Sequence, residues 1–341
     1  MEDSELLVVE NLETTITTPR GVIYPVRGAN LTLSKGETLG IVGETGSGKS
    51  QLVRSIMGLL PSNARVSRTS RVSFEGKNLV GLGEAQLRNI WGRRIALVPQ
   101  DPASSLNPVR KIGKQIADPL RIHTTMSRAE RHERVLEVLT AVGYADPARA
   151  LSRYPHELSG GMRQRVLIAT AITLSPSLLI ADEPTTALDV TIQRQILDLI
   201  GTLTRSTGMS MILVSHDLAV VASRSDRVAV VYGGKIVEVL PGAELALKSR
   251  HPYTRALLES HPDLDMTMHQ DLRTIPGEPP DLRKLLPGCP FAPRCSNRLT
   301  ECTQTMPPTV TDSTGTRMLA CHNPAVPAAS NGEVEKALHN G

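Results

Sequence analysis

The chain has 341 residues, 40% of them hydrophobic and 21% charged, the composition of an ordinary globular protein with room for two domains or one large domain with additions. Aromatic residues make up only 2%, which argues against base-stacking platforms for nucleic acid, and a net charge of +4 calls for neither DNA nor an anionic membrane as partner. The start, Met1-Glu-Asp-Ser-Glu5, lacks the basic and apolar regions of a signal peptide, and no apolar run approaches the ~20 residues that span a bilayer. The sequence therefore predicts a cytoplasmic protein, which would reach a membrane process only by docking onto separate membrane subunits.

Residues 6–40 read as short strands with turns, and Thr38-Leu-Gly-Ile-Val42 is a buried strand running into a glycine loop. Lys49 to Leu60 reads as a helix stopped by Pro61. Residues 65–80 alternate in strand fashion, as in Arg71-Val-Ser-Phe-Glu75, and Arg94-Ile-Ala-Leu-Val98 is another buried strand, ending at Pro99-Gln100. Residues 101–157 read as a helical insertion. Ser127-Arg-Ala-Glu130 is a capping box there, and Val135, Leu136, Val138, Leu139 and Val142 recur behind it at helical spacing. A helix from Met162 follows, then apolar strands at 178–182 and 211–215 with a helix between them. Arg227-Val-Ala-Val-Val-Tyr232, Gly233-Gly234 and Lys235-Ile-Val-Glu-Val-Leu240 predict a hairpin with a tight turn. Beyond about residue 260 the chain is proline-rich and loop-like, and the tail from Pro324 is expected to be mobile.

Gly43-Glu-Thr-Gly-Ser-Gly-Lys-Ser50 fits the phosphate-loop pattern in its required context, a strand before and a helix after. Such a loop turns backbone N–H groups of residues 43–50 toward phosphates, and the following helix adds the positive end of its dipole. Lys49 is expected on the β- and γ-phosphates of a nucleoside triphosphate, and Ser50 on Mg²⁺. Asp182 ends an apolar strand, where a carboxylate needs a partner, and the Mg²⁺ shell would supply one. Glu183, expected on the opposite side of that strand, is placed to polarise an attacking water. His216 follows a second core strand and reads as a γ-phosphate sensor, with Asp217 next to it. Gln100 is placed to link Mg²⁺ to the helical insertion. Ser159, Gly160 and Gly161 open the helix at Met162 and would form a second anion site. One ATP has one γ-phosphate, so two such sites are explained if two chains sandwich the nucleotide.

With these motifs on the page, residues 1 to about 325 resemble the ATP-binding subunit of the oligopeptide/dipeptide subfamily of bacterial ABC importers. The general features are those above together with Ala187-Leu188-Asp189. The subfamily features are Tyr154-Pro-His-Glu-Leu-Ser-Gly-Gly-Met-Arg-Gln-Arg-Val166, His251-Pro-Tyr-Thr254 and Gly288-Cys-Pro-Phe-Ala-Pro-Arg-Cys295. The resemblance implies an α/β P-loop NTPase fold of ABC type, with a parallel-sheet core, an antiparallel β subdomain and a helical subdomain at about 101–165. A nucleotide-binding domain would cover 1–255, a loop-rich extension with the cysteines 256–325, and a disordered tail 326–341. It further implies that ATP and Mg²⁺ bind Gly43, Glu44, Thr45, Gly46, Ser47, Gly48, Lys49, Ser50, Gln100 and Asp182, with Ser50, Gln100 and Asp182 at the metal. Glu183 would be the catalytic base, His216 the γ-phosphate switch, and Ser159, Gly160 and Gly161 would reach the partner's nucleotide.

The implied partners are a second, distinct ABC ATPase, two membrane-spanning permease subunits and an external solute-binding protein, with no nucleic acid. The implied location is the cytoplasmic face of the cell membrane. The expected cargo is di- or oligopeptides; nickel, glutathione or another small solute, and a soluble ABC ATPase, are the alternatives. The place of an adenine-stacking aromatic falls by ungapped spacing near Arg20, with Tyr24 close behind. Cys289, Cys295, Cys302 and Cys321 are the only cysteines, and their spacing is not that of the short pairs of common zinc sites. A [4Fe–4S] cluster, which some members of the resembling subfamily carry, zinc and unmetallated thiols are the three readings. His322 beside Cys321 reads as a solvent-facing histidine or a spare ligand.

Overall fold

A computed structural model describes residues 5–186, 188–260 and 274–326. The acidic start before residue 5, Ala187 of the Ala187-Leu188-Asp189 motif and the tail after residue 326 lie outside the described residues. The chain divides into two compact units, one holding Leu33–Glu37 and Gly81–Val214, the other Leu7–Thr32, Thr38–Val80 and the chain from Ser215 onward.

In the first unit, strands Ile95–Val98, Leu178–Asp182 and Ser210–Val214 run parallel, in registers that pair Ile95 with Leu178 and Asp182 with Val214. Every residue of Leu178–Asp182 and Ser210–Val214 is buried, as expected where a parallel sheet is covered on both faces. The helical insertion is present as helices Pro102–Ser105, Ile112–His123, Arg128–Ala141 and Pro147–Ala150. Ser127 and Glu130 close the predicted capping box, with Glu130 Oε2 accepting the Ser127 N–H at 2.6 Å. Ile112, Ile116 and Leu120 line one buried face, and Val135, Val138 and Leu139 another. Leu136, expected on that second stripe, is only half-buried, because it lies a full 100° per residue away from Val135 around the helix.

The second unit holds strand Thr38–Val42, parallel to Arg227–Tyr232, which turns back through the predicted hairpin into Lys235–Pro241. Gly233 and Gly234 have φ of 56° and 78°, the two positive values that a two-residue turn matching the strand twist demands. The late segment adds Val310–Thr311 and Met318–Leu319 to the edge of this sheet, pairing Leu319 with Glu238. An antiparallel sheet carries Glu5–Thr18, Gly21–Ser34, Ala64–Val66, Arg71–Phe74 and Lys77–Asn78.

Two expectations change. Residues 6–40 form not short strands but two strands of 14 residues each. Asn11 and Gly28 look like turn residues in the sequence, yet take φ of 45° and 72° inside continuous strands, as irregularities that leave pairing intact on either side. The helix Lys49–Met57 is ended by Gly58 rather than Pro61. Gly58 adopts φ 66°, its N–H bonds the Ser55 carbonyl at 3.1 Å, and the Leu59 N–H bonds the Arg54 carbonyl at 2.9 Å, closing a Schellman motif.

Glu238 is 3% exposed. Its carboxylate accepts the main-chain N–H groups of Arg250 at 2.6 Å and His251 at 3.1 Å, and burial holds its pKa above the usual carboxylate value. His251 in turn accepts the Tyr253 N–H at Nδ1, 3.1 Å, capping helix Pro252–Glu259. Replacing Glu238 with Ala strips the buried His251 N–H and the part-buried Arg250 N–H of their acceptor. The expected loss is about 2 kcal/mol or more in urea denaturation, with Glu238→Gln losing less because one acceptor oxygen remains; equal midpoints for Glu238→Ala and the wild type would refute this account.

Candidate functional site

Residues 43–50 leave strand Thr38–Val42 and enter helix Lys49–Met57. Gly43 and Gly48 have φ of 153° and 109°, and neither has room for a side chain. A Cβ on Gly43 would lie 2.2 Å from the Val231 carbonyl oxygen, and one on Gly48 would lie 2.3 Å from that of Pro25. At Gly46, φ is 81° and the space is open, so only its backbone conformation requires glycine. Lys49 is 4% exposed, and its Nζ donates to the carbonyls of Gly43 at 2.9 Å and Glu44 at 3.1 Å, which holds the ammonium within the curl of the loop. Gly48 offers no side-chain cap to the helix that follows, and Ser47 Oγ is buried with no hydrogen-bond partner among the described residues. Uncapped N–H groups, a buried hydroxyl and an ammonium together fit a phosphate chain. Thr45 is exposed and Ser50 half-buried at the first turn of the helix.

In the other unit, Asp182 closes strand Leu178–Asp182 at 2% exposure. Glu183 does not continue that strand. It turns out at φ 47°, a left-handed conformation uncommon for a residue with a side chain, and its N–H bonds the Val214 carbonyl at 2.9 Å. The sequence reading of two carboxylates on opposite sides of one strand is corrected here, because the strand ends one residue earlier. Glu183 Oε2 accepts from Gln100 Nε2 at 3.0 Å and from Thr186 Oγ1 at 3.1 Å. Gln100 and Glu183 were separate readings in the sequence; the structure joins them, and Thr186 was missed altogether. Strained backbone under a doubly held carboxylate is the kind of local cost that persists where a carboxylate must be aimed.

Ser159 caps helix Gly160–Ile172, its Oγ accepting the Met162 N–H at 3.3 Å. Ser159 and Gly160 are exposed, so this helix start is open to solvent. A Cβ on Gly161 would lie 2.7 Å from Ile192 Cγ2, in helix Val190–Thr207, which Asp189 caps. His216 is exposed beyond Ser210–Val214, whereas Asp217 caps helix Leu218–Arg224 through the Val220 N–H at 3.0 Å. Asp217 thus has a structural task of its own. Arg20 lies exposed in the turn before strand Gly21–Ser34, and Tyr24 is half-buried within that strand.

Cys289, Cys295, Cys302 and Cys321 line one small cavity together with His251, Phe291 and His322. Burial pushes the Cys289 and Cys295 thiols up and Cys321 to about 11, the neighbouring thiols adding to the effect on Cys289 and Cys321. Protonated thiols of this kind are inert until a metal displaces the protons. Among the described residues, no group of three or more His, Cys, Asp or Glu side chains is spaced so as to hold a metal ion. His322 is not solvent-facing: its side chain is 8% exposed, and Nε2 lies 3.1 Å from the Thr305 carbonyl oxygen. Arg294, in the turn between Cys289 and Cys295, pairs with Glu44 of the phosphate loop. The sequence held Arg294 and Tyr253 inside its subfamily motifs without giving either a task, since nothing local marks a residue that acts 250 positions away.

Known proteins agree with this geometry. The ABC transporter family pattern matches residues 26–186, and the pattern described as "Oligopeptide/dipeptide transporter, C-terminal region" matches residues 237–302. The chain is 46% identical over 303 residues to the dipeptide transport ATP-binding protein DppD of Bacillus subtilis, covering 89% of this chain and 90% of that one. It is 44% identical to the oligopeptide transport ATP-binding protein OppD of Salmonella typhimurium, covering 94% of each. Among solved structures, the ATP-binding cassette MJ0796, a dimer in a post-hydrolysis state bound to ADP and Pi, superposes with a TM-score of 0.62 at 28% identity, covering 69% of this chain and 98% of that one. No helix among the described residues is long and apolar enough to cross a membrane. The two family matches, and a likeness in sequence along nearly the whole length of these relatives, place this protein among the ABC ATPases, in the family of oligopeptide/dipeptide transporter ATP-binding proteins.

Proposed function

We propose that this ATPase is the motor of an importer of di- or oligopeptides, working at the cytoplasmic face of the cell membrane. The observation that carries the hydrolytic role is Glu183, turned out at φ 47° and held by Gln100 and Thr186. The C-terminal match over residues 237–302 and the dipeptide and oligopeptide transport names of the relatives support the cargo. The organisation into a motor of 1–255 and an extension of 256–325 goes with this reading. Partners are a second ABC ATPase, two permease subunits and an external solute-binding protein.

The chemistry assigned to each residue follows from its type. Lys49 and the N–H groups of residues 43–50 would hold the β- and γ-phosphates; the family resemblance assigns Mg²⁺ to Ser50, Gln100 and Asp182, and the ion would supply positive charge to the phosphates. Glu183 accepts the proton of the water that attacks the γ-phosphorus, the β–γ bridging bond breaks, and ADP and phosphate leave. His216 contacts the γ-phosphate. Ser159, Gly160 and Gly161 offer the open helix start to the nucleotide held by the partner ATPase, so that ATP closes the pair and hydrolysis reopens it. Cargo access then alternates through the permeases.

In the extension, Cys289, Cys295, Cys302 and Cys321 would hold a [4Fe–4S] cluster. The four cysteines lining one cavity support this, thiolates being the donors that such clusters take.

Three outcomes are expected. Glu183→Gln lowers ATP turnover by about a thousandfold while ATP affinity stays within about threefold of wild type; steady hydrolysis in that variant would end the base assignment. Gly48→Ala weakens ATP binding by roughly a hundredfold in calorimetry, about 3 kcal/mol, because the added Cβ meets the Pro25 carbonyl. Protein purified without oxygen contains iron and acid-labile sulfide in near-stoichiometric amounts, lost in Cys295→Ser; zinc alone would make the extension a structural clip, and neither metal would withdraw the cofactor.

A further inference from the structure

The phosphate-loop pattern leaves residue 44 open, since nothing in phosphate binding requires a carboxylate there. Yet both carboxylate oxygens of Glu44 are held. Arg294 grips it in a two-pronged fork, Nη1 to Oε2 at 2.6 Å and Nη2 to Oε1 at 3.0 Å. The Arg294 side chain is 5% exposed, and its remaining donors reach the Pro276 carbonyl at 2.8 Å, the Ile275 carbonyl at 3.1 Å and Tyr232 Oη at 3.2 Å. The guanidinium is thus fixed before it meets the loop. Tyr253 Oη accepts the Glu44 main-chain N–H at 2.8 Å, which pins the backbone of the same residue.

These contacts converge on the turn that carries the cysteines. Arg294 immediately precedes Cys295. Phe291, two residues past Cys289, is 2% exposed and packs against Tyr232 and Tyr253, with ring centroids 5.1 Å and 5.3 Å away. Tyr232 and Tyr253 are themselves 4.4 Å apart. The same turn lines the thiol cavity through Cys289, Phe291 and Cys295 and reaches the phosphate loop through Arg294. A fully exposed ion pair would contribute little, but this fork is largely screened from solvent, with the Arg294 side chain 5% and that of Glu44 23% exposed, so removing one partner leaves the other charge poorly compensated and loosens the loop.

We propose that Arg294 is a positioning residue for ATP: by holding Glu44 it fixes the main chain of the phosphate loop, and it couples nucleotide affinity to the cysteine-bearing turn. The inference rests on the assignment of ATP to this loop. Coupling of this kind is reciprocal, so ATP must also order the turn.

The test is equilibrium titration of the full chain with Mg-ATP, beside amide hydrogen exchange of residues 288–295 with and without saturating nucleotide. Arg294→Ala is expected to weaken ATP binding on the order of tenfold, with Arg294→Lys, a cation without the fork, between it and wild type. Glu44→Gln weakens binding similarly, and the double variant Arg294→Ala/Glu44→Gln is no weaker than either alone, because both remove one shared interaction. ATP slows exchange in residues 288–295 of wild type but not of Arg294→Ala or Glu44→Gln. Unchanged affinity in folded Arg294→Ala, additive losses in the double variant, or ATP-dependent protection of the turn that survives both substitutions would each overturn the proposal. If Arg294→Ala does not fold, Glu44→Gln decides by the same two readouts. Wild-type affinity in Lys49→Ala would instead sink the ATP assignment of the loop, a separate failure.

Discussion

The main chain of the phosphate loop is wedged between carbonyl groups of its neighbours. Pro25 and Val231 present their oxygens so close to Gly48 and Gly43 that no side chain fits at either position. Pro25 belongs to strand Gly21–Ser34 and Val231 to strand Arg227–Tyr232, so two distant parts of the sequence form the walls of the loop. The Gly233–Gly234 turn closes it from a third side, with the Gly234 N–H donating to the Ser47 carbonyl at 2.8 Å. A main chain wedged this way is held in one conformation, the kind of preorganisation that electrostatic sites rely on.

The other unit applies the same economy to a carboxylate. Parallel strands buried on both faces end abruptly, and Gln100 and Glu183 lie just past their carboxyl ends, where open α/β sheets commonly place their ligands. Gln100 lies beyond Ile95–Val98 and Glu183 beyond Leu178–Asp182, in strands that pair directly. That pairing is what brings the amide of one to the carboxylate of the other.

The extension is more than an appendage. It adds two short strands to the sheet edge, and its Pro280 and Pro290 press on Gly233, where a Cβ would lie 3.2 Å and 3.0 Å from them. Through Arg294 and Phe291 it also reaches the loop and the tyrosines beneath it. The four thiols of the same region line one small cavity.

The sequence by itself determined the glycine loop between a strand and a helix, the capping box at Ser127 and the hairpin at Gly233–Gly234. Each is a demand of backbone geometry on consecutive residues, and glycine, serine and charge at fixed offsets record it directly. Strand lengths at 5–34 were not legible, because Asn11 and Gly28 carry turn composition into continuous strands. Nor was the end of the first helix, where a left-handed Gly58 acts before the proline can. Only the tertiary structure decided that Gln100 holds Glu183, that Arg294 holds Glu44 and that the four cysteines share one cavity. Those partners are 83 and 250 residues apart in the first two cases, and the physical reason they stay hidden is that no local periodicity encodes which side chains strand pairing and core packing bring together.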